Sequence, residues 1–439
     1  MTYLIDSANE TAKRLARAWL LLGIAALIGA GLLAILLVLA RTPGIDTLLP
    51  SKDFFRAALI VHVDLSVLIW FMAFGGVLWS LAGSARFALL GWAGIALAVA
   101  GSALMVVSPF GHDPQPLLNN YIPILQQPLF LAGLVVALVG FALSLLRALL
   151  TAFPTRRDDY ARTGIYVAAI AGSLAFIGFA VSWLHRPDYE GQALFEAVFW
   201  GGGHTLQFQH ALLMLAAWAM LLASLGQPLP LRPAILSILF VLATLPVLAM
   251  PVIYATTTVG SAQHVLAFAK LMEHGHGLML PLLLLVLATL PKVWKIASPV
   301  KSALVASVAL FIVGGILAFM IRGVNVVIPA HYHGSIVGVT LAFMGLAYVL
   351  LPKLGFGTVE GRMARWQPWV YGGGQLIHIL GLAWSGGYGV QRKVAGADQM
   401  LLTWQQKAGM GMMGLGGLIA IIGGIMFVLV CLKAIRNKH

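Results

Sequence analysis

Long uninterrupted apolar runs are the feature that most constrains this chain. Of its 439 residues, 60% are hydrophobic and only 9% are charged. A helix of about 20 apolar residues crosses the hydrocarbon core of a bilayer. Within that core only helices and closed barrels satisfy their backbone polar groups. The runs therefore predict an all-α polytopic membrane protein in the lipid bilayer, and they exclude a soluble enzyme with a large core.

Twelve such runs divide the chain into predicted spans. No linker or repeat interrupts their succession, which predicts one domain over residues 1–439 with short tails at 1–16 and 433–439. The segment before the first run is polar and that run is long enough to span, so no cleavable signal is expected. The predicted spans are 17–40, 55–82, 88–108, 128–150, 163–184, 195–224, 232–254, 263–290, 302–322, 326–352, 368–387 and 408–432.

Basic loops predict the orientation. Lys and Arg concentrate at both termini and in the loops at 147–162, 292–301 and 353–365. Cytoplasmic loops carry such an excess, so both termini are expected on the cytoplasmic side of a bacterial inner membrane. The net charge of +13 is thereby explained, and no nucleic-acid partner is expected. The single cysteine excludes an internal disulfide, a thiolate metal cluster and a covalently attached c-type haem.

Histidines at one depth are the main chemical signal. Span 10 opens with His331 and His333, whose side chains point to nearly opposite faces because two residues turn a helix by about 200°. The orientation brings His62, His204 and His378 to a similar outer depth. Ionisable residues inside a membrane are costly and mostly functional, and neutral imidazole binds haem iron. Two haems near the outer face are predicted; polar contacts between helices are the alternative.

Three segments then carry a resemblance: RAALIVHVDLSVLIWFMAFGGVLW on span 2, FWGGGHTLQFQH on span 6 and AHYHG on span 10. They resemble the catalytic subunit of the haem–copper oxidase superfamily, which includes the cbb-type oxidases and the nitric oxide reductases. The resemblance implies a low-spin haem on His62 and His333 and a high-spin haem on His331, both of b type or a close relative. Electrons would pass from the first haem to the second, where O2 or NO binds.

The segment QLIHILGLAWSGGYGVQRK resembles the family stretch that ends in a basic pair near the haem propionates. The resemblance makes Arg392 and Lys393 the candidates for that pair. Their predicted outer location is not where the loop-charge rule places basic residues, which suits a carboxylate-binding role. Solvated loop charge is the alternative.

The distal metal site departs from the family pattern. His204 takes the place of the first distal histidine, but the end of span 7, MPVIYATTTVGSAQH, lacks the adjacent His-His pair. Because the family uses three imidazoles to hold copper, a copper site of that type is doubtful. His204 and His264, with Glu273 as a third, are the candidates for a rebuilt copper or iron site. The alternative is that His264 is an interfacial loop residue. Tyr254 is a candidate redox or proton-donating phenol, or else an interfacial anchor.

Span 8 carries a second group of ionisable residues in LMEHGHGLMLP. Glu273, His274 and His276 are predicted to relay protons, since Glu and His chains do so in membrane proteins. A second metal site with Met272 and Met279 is one alternative, and an interhelical hydrogen-bond network is the other. The Pro-rich loop 109–127 is predicted to form an ordered outer cap or a docking surface.

Two functional hypotheses follow. The first is a haem-containing respiratory oxidoreductase subunit, either a terminal oxidase or a nitric oxide reductase. It would be served by an outer donor (cytochrome c, a cupredoxin or a quinol) and accompanied by further membrane subunits. The second is a haem-binding electron-transfer, gas-sensing or assembly subunit without catalysis, which the missing His-His pair favours. A transporter without haem explains the spans but not the histidine spacing.

Overall fold

The computed structural model of the protein describes residues 8–40, 52–111, 115–156, 159–392 and 400–437. Those residues are mostly helical. The helices are α1 (Glu10–Ala40), α2 (Lys52–Val63), α3 (Trp70–Ala82), α4 (Ala88–Val107), α5 (Pro128–Thr151), α6 (Tyr160–Leu184), α7 (Gly191–Ser224), α8 (Pro233–Thr244), α9 (Ala249–Thr256), α10 (Ala262–Gly275), α11 (Leu280–Val293), α12 (Pro299–Phe319), α13 (Val327–Lys353), α14 (Arg362–Gly387) and α15 (Trp404–Arg436).

The predicted all-α membrane fold is confirmed. Eleven helical segments of the described chain are long and apolar enough to cross a membrane, and each overlaps a predicted span. The remaining predicted span, 368–387, lies in α14, a helix of 26 residues. Its N-terminal turns contain arginine, glutamine and tryptophan, so α14 is less apolar than its neighbours. Together these segments give the twelve predicted spans.

Three of the described spans change helix type in their interior. The π-helical segment Asp64–Ile69 begins two residues after His62 and joins α2 to α3. Short 3-10 segments, Leu245–Leu248 and His276–Met279, join α8 to α9 and α10 to α11. Proline disrupts the α-helical hydrogen bonds before it, and Pro246 and Pro281 lie in or just after these two segments. Such irregular turns often occur at functional sites.

The chain forms two compact units, Met1–Ala30 with Ser51–Pro291 and Gly31–Pro50 with Lys292–His439. The prediction of one domain stays a prediction. In the first unit α4 packs on α5 and α6 packs on α7. The loop between α4 and α5 pairs β1 (Pro116–Leu117) with β2 (Ile124–Leu125) in antiparallel fashion. Its role as an outer cap or a docking surface stays a prediction.

In the second unit, α14 and α15 approach closely over several turns. A Cβ atom placed on Gly374 would lie 2.8 Å from the carbonyl oxygen of Gly416. Gly381 likewise faces the backbone of Met413, two turns further along. Without a hydrophobic driving force between helices in lipid, small residues allow the close backbone contact that holds helices together. This packing positions the end of α14 beside the start of α13, where Gly386 contacts Val327.

We expect Gly374→Val to destabilise the protein by about 1–3 kcal/mol, because the added side chain forces α14 and α15 apart. The matched control is Gly373→Val, since a Cβ on Gly373 meets no atom within 4 Å. Thermal unfolding of the detergent-solubilised protein, followed by tryptophan fluorescence, measures the difference. Equal unfolding temperatures for the two variants would contradict this packing account.

Candidate functional site

The histidine pair of α13 lies in its first two turns. His331 Nδ1 lies 2.7 Å from the carbonyl oxygen of Gly314 on α12. His333 Nδ1 lies 3.1 Å from the carbonyl oxygen of Pro329, one turn earlier. A carbonyl oxygen has no proton, so in both rings Nδ1 must donate. Neutral imidazoles held in this way carry their lone pair on Nε2, the arrangement that metal-binding histidines use.

Close helix packing makes the His331 contact possible. A Cβ atom on Gly314 would overlap the backbone of Gly334 and Ser335, so α12 and α13 touch through their main chains at this level. The His331 ring can therefore reach a carbonyl of the neighbouring helix. Both histidines are half-buried. The described residues of the second unit thus present two oriented imidazoles, and the assignment of these imidazoles as haem ligands stays a prediction.

Two further groups surround this end of α13. The His378 ring lies 5.2 Å from that of His333, and its Nδ1 donates to the carbonyl oxygen of Met413 at 2.9 Å. Arg392 interacts electrostatically with Tyr332. The chain before Arg392 is attached to the start of α13, since Val326 N donates to the Val390 carbonyl oxygen at 3.0 Å. Lys393 lies outside the described residues.

In the first unit, His62 occupies the last turn of α2. Its Nδ1 donates to the carbonyl oxygen of Ala30 at 2.8 Å, so this half-buried ring has the same tautomer as the α13 pair. The π-helical segment that follows begins with Asp64, which is 1% exposed. The Asp64 Oδ2 atom has no hydrogen-bond partner among the described residues. Asp64 was not among the predicted site residues, although a carboxylate two residues from a candidate ligand inside a span is a visible signal.

His204 lies on α7 in a pocket of aromatic rings. It is 4% exposed, and its Nδ1 donates to the Trp200 carbonyl oxygen at 2.8 Å. The ring centroids of Trp200 and Tyr121 lie 4.5 Å and 4.8 Å from that of His204. Trp200 Nε1 in turn donates to the Val265 carbonyl oxygen at 3.1 Å, which ties α7 to α10.

Three consecutive glycines before His204 make this pocket possible. A Cβ atom on Gly203 would overlap the ring of Tyr121, and one on Gly201 would overlap the hydroxyl group of Tyr254. Gly202 leaves room for Phe179 in the same way. Tyr121 was not predicted as a site residue. The run of glycines was the signal for it, because glycine within a helix permits another group to approach closely.

Tyr254 and His264 lie on the other side of Phe268. Phe268 has its ring centroid 5.4 Å from Tyr254, 4.9 Å from His264 and 6.1 Å from His204. Tyr254 donates to the Gly178 carbonyl oxygen at 3.0 Å, so the Ser182 hydroxyl, at 2.7 Å, donates to Tyr254. The structure therefore brings His204, Tyr254 and His264 into one cluster, whose catalytic and metal-binding roles stay predictions.

His264 has an unsatisfied nitrogen. Its side chain is fully buried, and Nδ1 lies 2.9 Å from Oγ1 of Thr257. Its Nε2 atom is buried and has no hydrogen-bond partner among the described residues. An orphaned polar atom of this kind costs about 1–3 kcal/mol. A bound group that forms a hydrogen bond or a coordinate bond with Nε2 of His264 would remove this cost.

The donor set does not fit the three-histidine copper site of the family. The ring of Phe268 lies against both His204 and His264. The ring of His276 stacks on that of Phe208, with centroids 4.2 Å apart. Within the described ranges, no group of three or more His, Cys, Asp or Glu side chains is arranged to hold a metal ion. A rebuilt metal site on His204 and His264 stays a prediction.

Glu273 lies away from this cluster. Its side chain is 72% exposed and that of His274 is 73% exposed, with 4.0 Å between Glu273 Oε2 and His274 Nε2. His276, one residue beyond the end of α10, is half-buried and donates through Nδ1 to the Met272 carbonyl oxygen at 2.9 Å. The catalytic and proton-relay roles of Glu273 stay predictions. Its carboxylate faces outward from the described chain.

Comparisons with known proteins settle the family. Residues 14–425 match the family model described as Cytochrome C and Quinol oxidase polypeptide I. This chain belongs to that family. It is therefore an integral membrane protein of the haem–copper oxidase subunit I group, whose members are respiratory oxidoreductases that normally bind haem. The expected embedding in a lipid bilayer is confirmed.

Relatives and a solved structure agree with this assignment. An uncharacterized protein of Rickettsia prowazekii (strain Madrid E) is 30% identical, with 98% of each chain covered. An uncharacterized protein of Aquifex aeolicus (strain VF5) is 30% identical over 80% of this chain and 88% of the relative. A cryo-EM structure of a heme-copper terminal oxidase dimer has a TM-score of 0.74 at 17% identity, covering 98% of this chain and 85% of that one. The last likeness shows the fold.

Tyr121 generates a prediction about alkaline stability. Burial of the phenol, together with the negative charge of Glu196, raises the pKa of Tyr121 above its usual value near 10. The unfolded chain therefore loses this proton at a lower pH than the folded protein does. The free energy of unfolding is therefore unaffected by this group well below a pH of about 10, and it falls as the pH rises further.

We accordingly expect Tyr121→Phe to lose less stability than the unmodified protein between pH about 9 and 11. Unfolding temperatures measured across this range test the expectation. Tyr189→Phe is the control, because the Tyr189 side chain is exposed. A Tyr121→Phe variant with the same alkaline slope as the unmodified protein would show that burial of this phenol does not contribute.

Proposed function

We propose that the chain is the haem-binding core subunit of a respiratory-type oxidoreductase that reduces O2 or NO. Two haems, of b type or a close relative, would be held by His62, His331 and His333. The supporting observation is that each of these rings donates through Nδ1 to a backbone carbonyl oxygen. Haem, when bound, would supply the transfer of single electrons and the binding of a small gas.

The residues around α13 suit this role. The Nδ1 bonds fix the direction of each imidazole and raise its basicity, which strengthens an axial bond. Arg392 supplies a positive charge near the histidine-bearing end of α13. A guanidinium group binds carboxylates with charge-assisted hydrogen bonds. Arg392 would therefore bind a propionate, and Lys393 would contribute beside it as the family resemblance implies.

The cluster of Tyr254, His264 and His204 would supply protons. Tyr254 holds its proton on the phenol oxygen, in the hydrogen bond to the Gly178 carbonyl, while Ser182 donates to that same oxygen. His264 offers a buried nitrogen whose ring is 5.1 Å from that of Tyr254. A phenol and an imidazole at this distance can exchange a proton through one intervening water molecule. The proposed chemistry at this cluster requires no copper.

The distribution of basic residues supports a membrane location and an orientation for the protein. We propose a bacterial inner membrane with both termini in the cytoplasm, which the basic loops and the bacterial relatives support. An outer cytochrome c, cupredoxin or quinol would donate electrons. Additional membrane subunits would accompany the chain.

We expect His331→Ala to abolish the absorption change that carbon monoxide causes in the reduced protein, because the gas-binding haem loses its ligand. His62→Ala should instead remove the low-spin haem spectrum. The control is His185→Ala, whose Nδ1 also donates to a backbone carbonyl oxygen but whose ring is exposed. Unaltered spectra in both ligand variants would overturn the proposed haem sites.

We expect Tyr254→Phe to retain both haem spectra and to lower turnover by about 10²-fold or more, as loss of a positioned proton donor does. O2 and NO consumption with an artificial electron donor measures the effect. Tyr166→Phe is the matched control, since Tyr166 is a phenol on α6 that donates to a backbone carbonyl oxygen at 3.5 Å. Full activity in Tyr254→Phe would remove this phenol from the mechanism.

The non-catalytic alternative has one specific observation in its favour. The end of span 7 lacks the adjacent His-His pair of the family pattern, so two of the three copper ligands of that pattern are missing there. A haem-binding electron-transfer, gas-sensing or assembly subunit would need no such pair. Such a protein would consume neither O2 nor NO with any donor, and an electron-transfer or assembly subunit would also show no response to carbon monoxide. The same spectra and assays therefore separate the two functions.

A further inference from the structure

In the second unit, Lys301 of α12 lies between two tryptophan rings. Its Nζ atom is 5.9 Å from the ring centroid of Trp294, in the loop before α12, and 5.7 Å from that of Trp369 on α14. A cation within about 6 Å of an indole face is attracted by the ring. A loop and two helices of this unit thus converge on one ammonium group.

The ammonium group of Lys301 has three N–H donors and no acceptor among the described residues. The two indole rings contact it, but no carbonyl, hydroxyl or carboxylate oxygen does. The Lys301 side chain is half-buried, so water reaches it incompletely. A cation in this position is costly unless an acceptor from outside the chain contacts it.

The first two turns of α14 extend this surface. Their exposed residues are separated by three, four and seven positions, which places them on one helix face: Arg362, Arg365, Trp366 and Trp369. Neither arginine forms an ion pair within the described part of the chain. We call these four residues, together with Trp294 and Lys301, the aromatic basic patch.

The aromatic basic patch lies at one end of the membrane spans. Lys301 is the third residue of the span Pro299–Phe319, and Trp294 directly follows the span Ala262–Val293. Trp369 is the eighth residue of α14, roughly 10 Å from its start. Tryptophan is enriched at the headgroup level of a bilayer. Phosphate oxygens of the surrounding lipid are therefore the nearest source of the missing acceptor.

Ordinary membrane anchoring does not account for this arrangement. An anchoring lysine extends its ammonium group into water, whereas that of Lys301 lies between rings that are 64% and 36% exposed. The indole N–H groups of Trp294 and Trp369 donate to no residue that the structure describes. Ammonium and indole donors at one level match the phosphate and ester oxygens of a glycerophospholipid.

We propose that the aromatic basic patch binds one anionic glycerophospholipid, such as phosphatidylglycerol. The Lys301 ammonium group donates to the phosphate, and the rings of Trp294 and Trp369 pack on the glycerol backbone and the first acyl carbons. Arg362 and Arg365 select a headgroup with net negative charge, because they would repel the cationic group of a zwitterionic lipid. This site does not depend on whether the chain binds haem.

Native mass spectrometry of the detergent-solubilised protein, titrated with phosphatidylglycerol, measures this binding. Lys301→Gln should weaken binding of the first lipid about fivefold or more, the effect of one charge near the headgroups. Lys301→Arg keeps the charge and should retain the lipid. Trp369→Leu tests the ring separately and should also weaken binding. Lys295→Gln, at an exposed lysine of the same loop, is the control, and circular dichroism verifies that each variant is folded.

Phosphatidylcholine and inorganic phosphate distinguish the sources of the phosphate group. Phosphatidylcholine should bind more weakly than phosphatidylglycerol, and inorganic phosphate should not displace the lipid. Equal affinity for the two lipids, or displacement by inorganic phosphate, would overturn the assignment to an anionic lipid. Equal binding of phosphatidylglycerol by the unmodified protein and by Lys301→Gln would overturn the site itself.

Discussion

The hydrogen bond from imidazole Nδ1 to a backbone carbonyl is the interaction on which the proposed site depends. It recurs at His62, His204, His331 and His333, with distances from 2.7 to 3.1 Å. An unanchored imidazole could rotate or exchange tautomers, and either change would remove the lone pair from its position. The backbone thus determines the chemistry of these side chains, which is why helix packing and site geometry cannot be separated here.

Glycine provides the close packing that these bonds require. Gly314 lets α12 and α13 touch, which brings its carbonyl oxygen to His331. Gly201 and Gly203 admit Tyr254 and Tyr121 to the surroundings of His204. In lipid, close backbone contact also stabilises the association of helices. The same residues therefore contribute both to the fold and to the shape of the site.

The sequence predicted the spans well because the thickness of the bilayer sets the length of an apolar run that can cross it, and such a run can be read locally from the sequence. It also singled out His62, His204, His331 and His333, since an ionisable residue inside a span is conspicuous. It could not show that Tyr121 lies on His204, because these residues are 83 positions apart in the chain and only packing joins them. The position of a residue along a span also does not show which side of the helix its side chain is on. Glu273 was expected near the distal site, but its carboxylate faces outward.

The central claim is that this family member holds two haems without the three-histidine copper site. Metal and haem analysis of the purified protein tests it most directly, with iron, copper and extractable haem measured on one sample. The account predicts about two haem irons per chain, from the three assigned axial histidines, and copper well below one per chain. One tightly bound copper per chain would contradict the account of the distal cluster, and a protein without haem would contradict the whole assignment.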